Sequence, residues 1–129
     1  MEQKQVTEEA SPQTLIESYL DAVREKDLER CLDFYAEDAS VHFMKGVFKG
    51  REAISGWHKD RFDAEMEIVK ISKIKTERDK VTVDASVTSK KLRAWKIGKL
   101  AGKATFRIQD GKIKETRLSP RLYNPFEGW

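Results

Sequence analysis

Phe34-Tyr35-Ala36-Glu37-Asp38-Ala39-Ser40-Val41 closes a helix with two acids and then turns extended, and Phe48-Lys49-Gly50-Arg51-Glu52-Ala53-Ile54 opens another helix behind a glycine. Ahead of this stretch, Ser11-Pro12 marks a helix start, with a hydroxyl able to cap and a proline suited to the first turn. Leu15, Ile16, Tyr19, Leu20 and Val23 recur on one helical face, with Glu17, Asp21 and Arg24 outside it. Asp27 caps a shorter second helix whose stripe is Leu28, Cys31, Leu32 and Tyr35. Ala39 to Phe43 reads as a brief strand, Gly46 to Gly50 as a loop, and Arg51 to about Phe62 as a third helix packing through Ile54, Trp57 and Phe62.

After this stretch the pattern turns to β. Met66–Thr76, Val81–Trp95, Leu100–Ile108 and Ile113–Leu118 are separated by turn residues at Glu77-Arg78-Asp79-Lys80, Gly98 and Asp110-Gly111. Val81, Val83, Ala85 and Val87 alternate with Thr82, Asp84, Ser86 and Thr88, the period of a sheet with two different faces. Connections this short make neighbouring strands antiparallel. Three helices followed by an antiparallel sheet form an α+β domain. Residues 1–11 read as a flexible N-terminal tail and 12–118 as the domain. Residues 119–129 read as an apolar tail whose Leu122, Tyr123, Phe126 and Trp129 pack on the domain or on a dimer mate.

Composition excludes several classes. With 39% hydrophobic and 36% charged residues in 129, the chain is a small globule rather than a disordered polymer. A single cysteine, Cys31, allows no internal disulfide and fits a reducing compartment, and the polar N-terminus resembles no secretion signal, so the expected location is cytoplasmic. Residues 1–38 hold eleven acids against four bases, and residues 69–107 twelve bases against three acids. Such asymmetry suits an anionic ligand, an acidic partner or opposed subunits, and equally a solvated, lysine-protected sheet. Gly98-Lys99-Leu100-Ala101-Gly102-Lys103-Ala104 has the wrong spacing for a phosphate-binding loop and lacks its hydroxyl. His42 and His58 have no third ligand at metal-binding spacing, so neither metal nor cofactor is expected.

The helix-closing segment, the glycine-led helix and the long strands together resemble the SnoaL-like branch of the nuclear transport factor 2-like superfamily. The resemblance implies a cone-shaped, cystatin-like fold: three N-terminal helices on a curved antiparallel sheet around a conical pocket. It implies a small hydrophobic ligand, a homodimer formed through the sheet, and acid–base work of isomerase, cyclase or dehydratase type in the relatives that are enzymes. The oxyanion tyrosine of ketosteroid isomerases falls on Tyr19, but the general base falls on Phe43 and the second oxyanion donor on Ala104, neither of which can move a proton. Many SnoaL-like members carry a histidine on the first strand, where His42 lies. Tyr19 and His42 are therefore the candidate catalytic residues, and each has a plain alternative: Tyr19 as a core tyrosine, and His42 as an outward residue if Phe43 faces in.

Phe34, Phe43, Phe48, Trp57, Arg61, Phe62, Ala104 and Phe106 are the candidate pocket lining, with the simplest reading of Trp57 being core. Arg61, Arg107 and Arg117 offer paired donors to a carboxylate or phosphate, although alternation with Phe106 turns Arg107 outward, where Glu115 is its cross-strand partner. The alternative to a ligand-binding protein is a non-enzymatic interaction module. Its basic sheet, with Lys90-Lys91-Leu92-Arg93-Ala94-Trp95-Lys96, would meet an acidic partner, nucleic acid or an anionic membrane.

Overall fold

A computed structural model of the chain describes residues 11–96 and 99–121. Helix α1 spans Pro12–Arg24 and α2 Leu28–Asp33. The Ser11 side chain accepts from the Thr14 amide and that of Asp27 from the Arg30 amide, each satisfying a donor that the helix start leaves open. Strand β1 (Tyr35–Phe43) and β2 (Gly46–Lys49) form a hairpin, followed by α3 (Arg51–Asp63). Strands β3 (Glu67–Glu77) and β4 (Lys80–Thr88), a short helix α4 (Lys90–Ala94), and strands β5 (Leu100–Gln109) and β6 (Lys112–Arg121) complete the order. The six strands make one sheet ordered β2-β1-β6-β5-β4-β3.

The α+β expectation holds, with five local corrections. Strand β1 starts at Tyr35, ahead of the acids, because α2 closes at Phe34 and Tyr35 pairs with Ile113. A register break between Tyr35 and Ser40 then puts Glu37 and Asp38 out in solvent, where Asp38 pairs with Lys114. Gly46–Lys49 is a strand rather than a loop, since Gly46 to Lys49 pair with Phe43 to Ser40. The expected strand Val81–Trp95 stops at Thr88: Ser89 caps the Leu92 amide, and Lys90-Lys91-Leu92-Arg93-Ala94 are helix formers without strand alternation. One pairing, β1 with β6, is parallel, while the remaining pairs are antiparallel. Strand β6 also runs three residues beyond Leu118, taking in the start of the expected C-terminal tail. The aromatic residues of that tail, the N-terminal tail up to residue 10, and Gly98 lie outside the described residues.

Cross-strand register divides the inner face into rows. Val41, Thr116, Phe106 and Val81 are aligned neighbours and all buried, forming the narrow end of the cone. One row on, Phe43, Leu118, Ala104, Val83 and Ile74 are aligned, and all but Val83 are partly exposed. Ala85 and Gly102 follow, both small and partly exposed. Helix α1 rests on β3 and β4, and α3 on β1 and β2. At Gly50, φ is +90°, a conformation open to glycine, which lets the chain turn from β2 straight into α3.

Candidate functional site

At the narrow end a polar chain runs through an otherwise apolar core. His58 Nδ1 is 2.8 Å from the Ile54 carbonyl oxygen, which can only accept, so Nδ1 carries the proton and Nε2 is bare. Nε2 therefore accepts from the Tyr19 hydroxyl at 2.8 Å. Tyr19 oxygen in turn accepts from the Tyr35 hydroxyl at 3.0 Å. Tyr35 has then spent its own proton, so the Thr116 hydroxyl, 3.1 Å away, donates to it. Every hydroxyl proton runs one way, from Thr116 through Tyr35 and Tyr19 to His58. Four polar side chains, each less than a tenth exposed, satisfy one another where water is excluded.

Burial shapes their acidities. It raises Tyr19 well above the ordinary tyrosine value, with the neighbouring Tyr35 adding to the effect. It pushes Tyr35 up to about 12, against the hydrogen bonds from Thr116 and with Tyr19. His58 is held below its ordinary value by the same desolvation and stays neutral. The surrounding rings meet edge to face: Tyr19 against Phe34, Tyr35 and Phe106 at 5.9, 5.5 and 5.7 Å between centroids.

Toward the wide end the character changes. Ile54, Trp57, His58, Arg61 and Phe62 form the inward face of α3, at the spacing of successive turns. Trp57 lies edge to face with Phe43 at 5.7 Å, and the Arg61 guanidinium carbon sits 4.8 Å from the Phe43 ring centroid and 5.5 Å from that of Trp57. The Trp57 Nε1 donor is buried and has no partner among the described residues. Phe62 stacks edge-on against His58 at 6.2 Å. A hollow of about 200 Å³ lies elsewhere, lined by Arg24, Lys26, Met66, Glu67 and Ile68 and by none of the candidate pocket residues. A second, of about 20 Å³, lies apart under Leu32, Tyr35 and Ile54 and has room for little more than a water. Helix α4 joins the C-terminal end of α3 through the Lys90 amide on the Ala64 carbonyl and an Arg93–Glu65 ion pair. It leaves Trp95 63% exposed.

The candidate residues thus separate. Tyr19, Phe34 and Phe106 gather at the closed end; Phe43, Trp57, Arg61, Phe62 and Ala104 stand toward the open end. Phe48 sits partly buried in β2 beside Val41, at the edge of the core. His42 is on the other side of the sheet. Its neighbours Val41 and Phe43 face in, and its Nε2 lies 3.2 Å from Glu115 and 3.3 Å from Ser40 Oγ. Glu115, though only 19% exposed in its side chain, also meets Arg117 at 3.0 Å and Arg107 at 3.8 Å. Arg107 and Arg117 are therefore surface ion-pair partners, and Arg61 alone of the three arginines belongs to the cone. His58, Tyr35 and Thr116 were not among the sequence candidates. The signal for His58 was its place four residues after Ile54 and next to Trp57, on the packed face of α3. Among the described residues no group of His, Cys, Asp and Glu is arranged to hold a metal, and no helix is long and apolar enough to cross a membrane.

A SnoaL-like domain model matches residues 16–116. Among solved structures, a Xanthomonas campestris protein of unknown function with a cystatin-like fold is similar at TM-score 0.75 and 18% identity, over 87% of this chain and 92% of that one. SalBIII, an epoxide hydrolase/cyclase-like enzyme of pyran ring formation in salinomycin, is similar at TM-score 0.73 and 19% identity, over 84% and 89%. An NTF2-like protein of unknown function from Cytophaga hutchinsonii is similar at TM-score 0.72 and 12% identity, over 89% and 94%. These identities carry the fold and nothing finer. No protein of curated function matches the sequence.

Proposed function

The chain belongs to the SnoaL-like domain family, and on that premise we propose that it holds a small apolar molecule at the wide end of its cone. The observation behind this reading is the inner wall beyond the row Val41-Thr116-Phe106-Val81. Phe43, Leu118 and Ala104, with Phe62 from α3, make an apolar surface that the domain covers only in part. Pockets for small molecules are concave, mostly apolar and built around few polar groups, and this wall has that character.

The reading is of a binding domain rather than an acid–base enzyme working through Tyr19 or His42. The Tyr19 hydroxyl is already engaged as donor in a hydrogen bond to His58, and burial makes its proton harder to release. His42 sits against Glu115 on the opposite face of the sheet. Nile red, a neutral apolar dye, tests the reading by fluorescence titration. Saturable enhancement with the native chain, lost on Ala104→Trp because the indole fills the wall, is the expected result. No enhancement with the native chain refutes it.

A second reading has one observation in its favour. The outer face of the sheet aligns Lys73 with Lys103 across Asp84, Lys75 with Arg117 across Thr82 and Thr105, and Lys80 with Arg107. Such a face suits an acidic partner or nucleic acid, and the family resemblance makes it the surface through which we propose a homodimer. The run Lys90–Lys96 contributes less than its sequence suggested, because it turns into α4 instead of lying on the sheet. Binding of a mixed-sequence single-stranded oligonucleotide that weakens with salt would favour the polyanion reading, and none at low salt would remove it.

A further inference from the structure

We infer that the wide end of the cone is a site for an organic carboxylate, with Arg61 as the anchor of the head group and the aromatic wall as the bed of the apolar body. The inference rests on the proposed binding of an apolar molecule and adds the chemistry of its polar end. Its first ground is position. Arg61 occurs on the inward face of α3 one turn after Trp57, where a cation is out of place among Ile54, Trp57, His58 and Phe62. Long cationic side chains normally carry their heads out to water from such a position. Here the guanidinium turns back over Phe43 and Trp57.

The second ground is what those rings leave unused. A cation over an aromatic face is held by the ring's quadrupole, which accepts few of the five N–H donors. Among the described residues Arg61 has neither an ion-pair nor a hydrogen-bond partner, whereas Lys26 pairs with Glu67 at 4.0 Å and Arg93 with Glu65 at 2.8 Å. A guanidinium so positioned presents a flat pair of donors, which matches the two oxygens of a carboxylate. The third ground is the Trp57 indole. Its buried Nε1–H has no acceptor among the described residues, and a buried donor without one is destabilising. A ligand oxygen would relieve it. Beside these groups stand Phe43, Leu118 and Ala104, able to cover an alkyl or aryl chain.

Isothermal titration of the full chain with decanoate below its micelle-forming concentration, and with decan-1-ol below its solubility limit, separates the two claims. Decanoate is expected to bind at least tenfold more tightly than the alcohol, with Arg61→Gln bringing decanoate down to the alcohol's affinity and Arg61→Lys restoring part of the difference. Arg24→Gln, which alters another cation without an ion pair among the described residues, is expected to leave the preference intact. Equal affinity for acid and alcohol in the native chain overturns the carboxylate assignment and leaves the apolar site standing. A preference for decanoate that survives Arg61→Gln overturns it too, since the anion is then held elsewhere. Binding of neither compound removes both the assignment and the reading it rests on. The comparison of the two compounds on the native chain needs no variant to fold.

Discussion

The Tyr19 hydroxyl donates to His58 Nε2 at 2.8 Å, and this bond joins the inward faces of α1 and α3 across the core. It explains how a fold with few polar groups inside keeps a histidine there. The His58 ring is fixed at both nitrogens, by the Ile54 carbonyl one turn back and by Tyr19. The tyrosine that the family resemblance suggested for oxyanion binding thereby links two helices through its hydroxyl.

Tyr19→Phe is expected to lower stability by about 2 kcal/mol, because it leaves the buried His58 Nε2 lone pair without a donor and takes from the Tyr35 hydroxyl its acceptor on α1. Tyr35→Phe is expected to cost less, about 1 kcal/mol, since Thr116 can rotate its proton and Tyr19 keeps its bond to His58. The double variant should lose less than the sum, as both changes break one chain. Urea denaturation of the three variants measures all of these, and strict additivity would mean that the chain is not acting as a unit.

The neutral His58 makes stability depend on pH. Its folded-state value is depressed below the ordinary 6.5, so the unfolded chain binds this proton first. The contribution is therefore complete above about pH 6.5 and shrinks as the pH falls from there toward the depressed folded value. Each pH unit inside that window removes at most about 1.4 kcal/mol. Denaturation midpoints between pH 7.5 and 5 should fall more steeply in the native chain than in His58→Gln. Parallel slopes would show that His58 does not supply the dependence.

Cys31 should behave as an inert thiol. It has no exposed surface, and burial, aided by Asp27, pushes its pKa up to about 12. A disulfide exchange reagent at pH 8 should react with it only as fast as the domain opens, and at full rate in urea. Prompt reaction in the native state would place the sulfur at the surface.

How much of this was legible beforehand depends on the kind of signal. Alternation over residues 81–84 and at Phe106 gave the correct faces, because a strand buried on one side leaves a period of two, but at the end of β4 it failed, since Thr88 is buried. The same rule decided His42: once Phe43 faces the core, the preceding residue cannot. The end of β4 was missed because Lys90–Ala94 suits either an edge strand or a helix, and the Ser89 cap settled it. The polar chain was not legible at all. Thr116, Tyr35, Tyr19 and His58 are up to 97 positions apart in order, and only the sheet register and the crossing of α3 bring them within 3.1 Å of the next. Arg61 is the intermediate case, marked out by a charge in an apolar helical stripe.

A homodimer through the outer sheet face should tighten with salt. In a two-fold pairing each patch meets its own copy. The rows Lys73-Asp84-Lys103 and Lys75-Thr82-Thr105-Arg117 would bring cations against cations, and Asp84, flanked by two lysines, is too few to offset them. Glu115 is already engaged by His42, Arg107 and Arg117, so little of its charge remains to attract a second subunit. The repulsion acts between solvent-facing groups and is screened within about 10 Å at 0.1 M salt. Sedimentation velocity at about 20 and 500 mM sodium chloride should thus show a larger dimer fraction at the higher concentration. Lys103→Glu should raise the fraction at low salt by setting an acid opposite the partner's lysines. A dimer that dissociates as salt rises would mean that the basic sheet meets the acidic surface of α1 and α2 instead of its own copy.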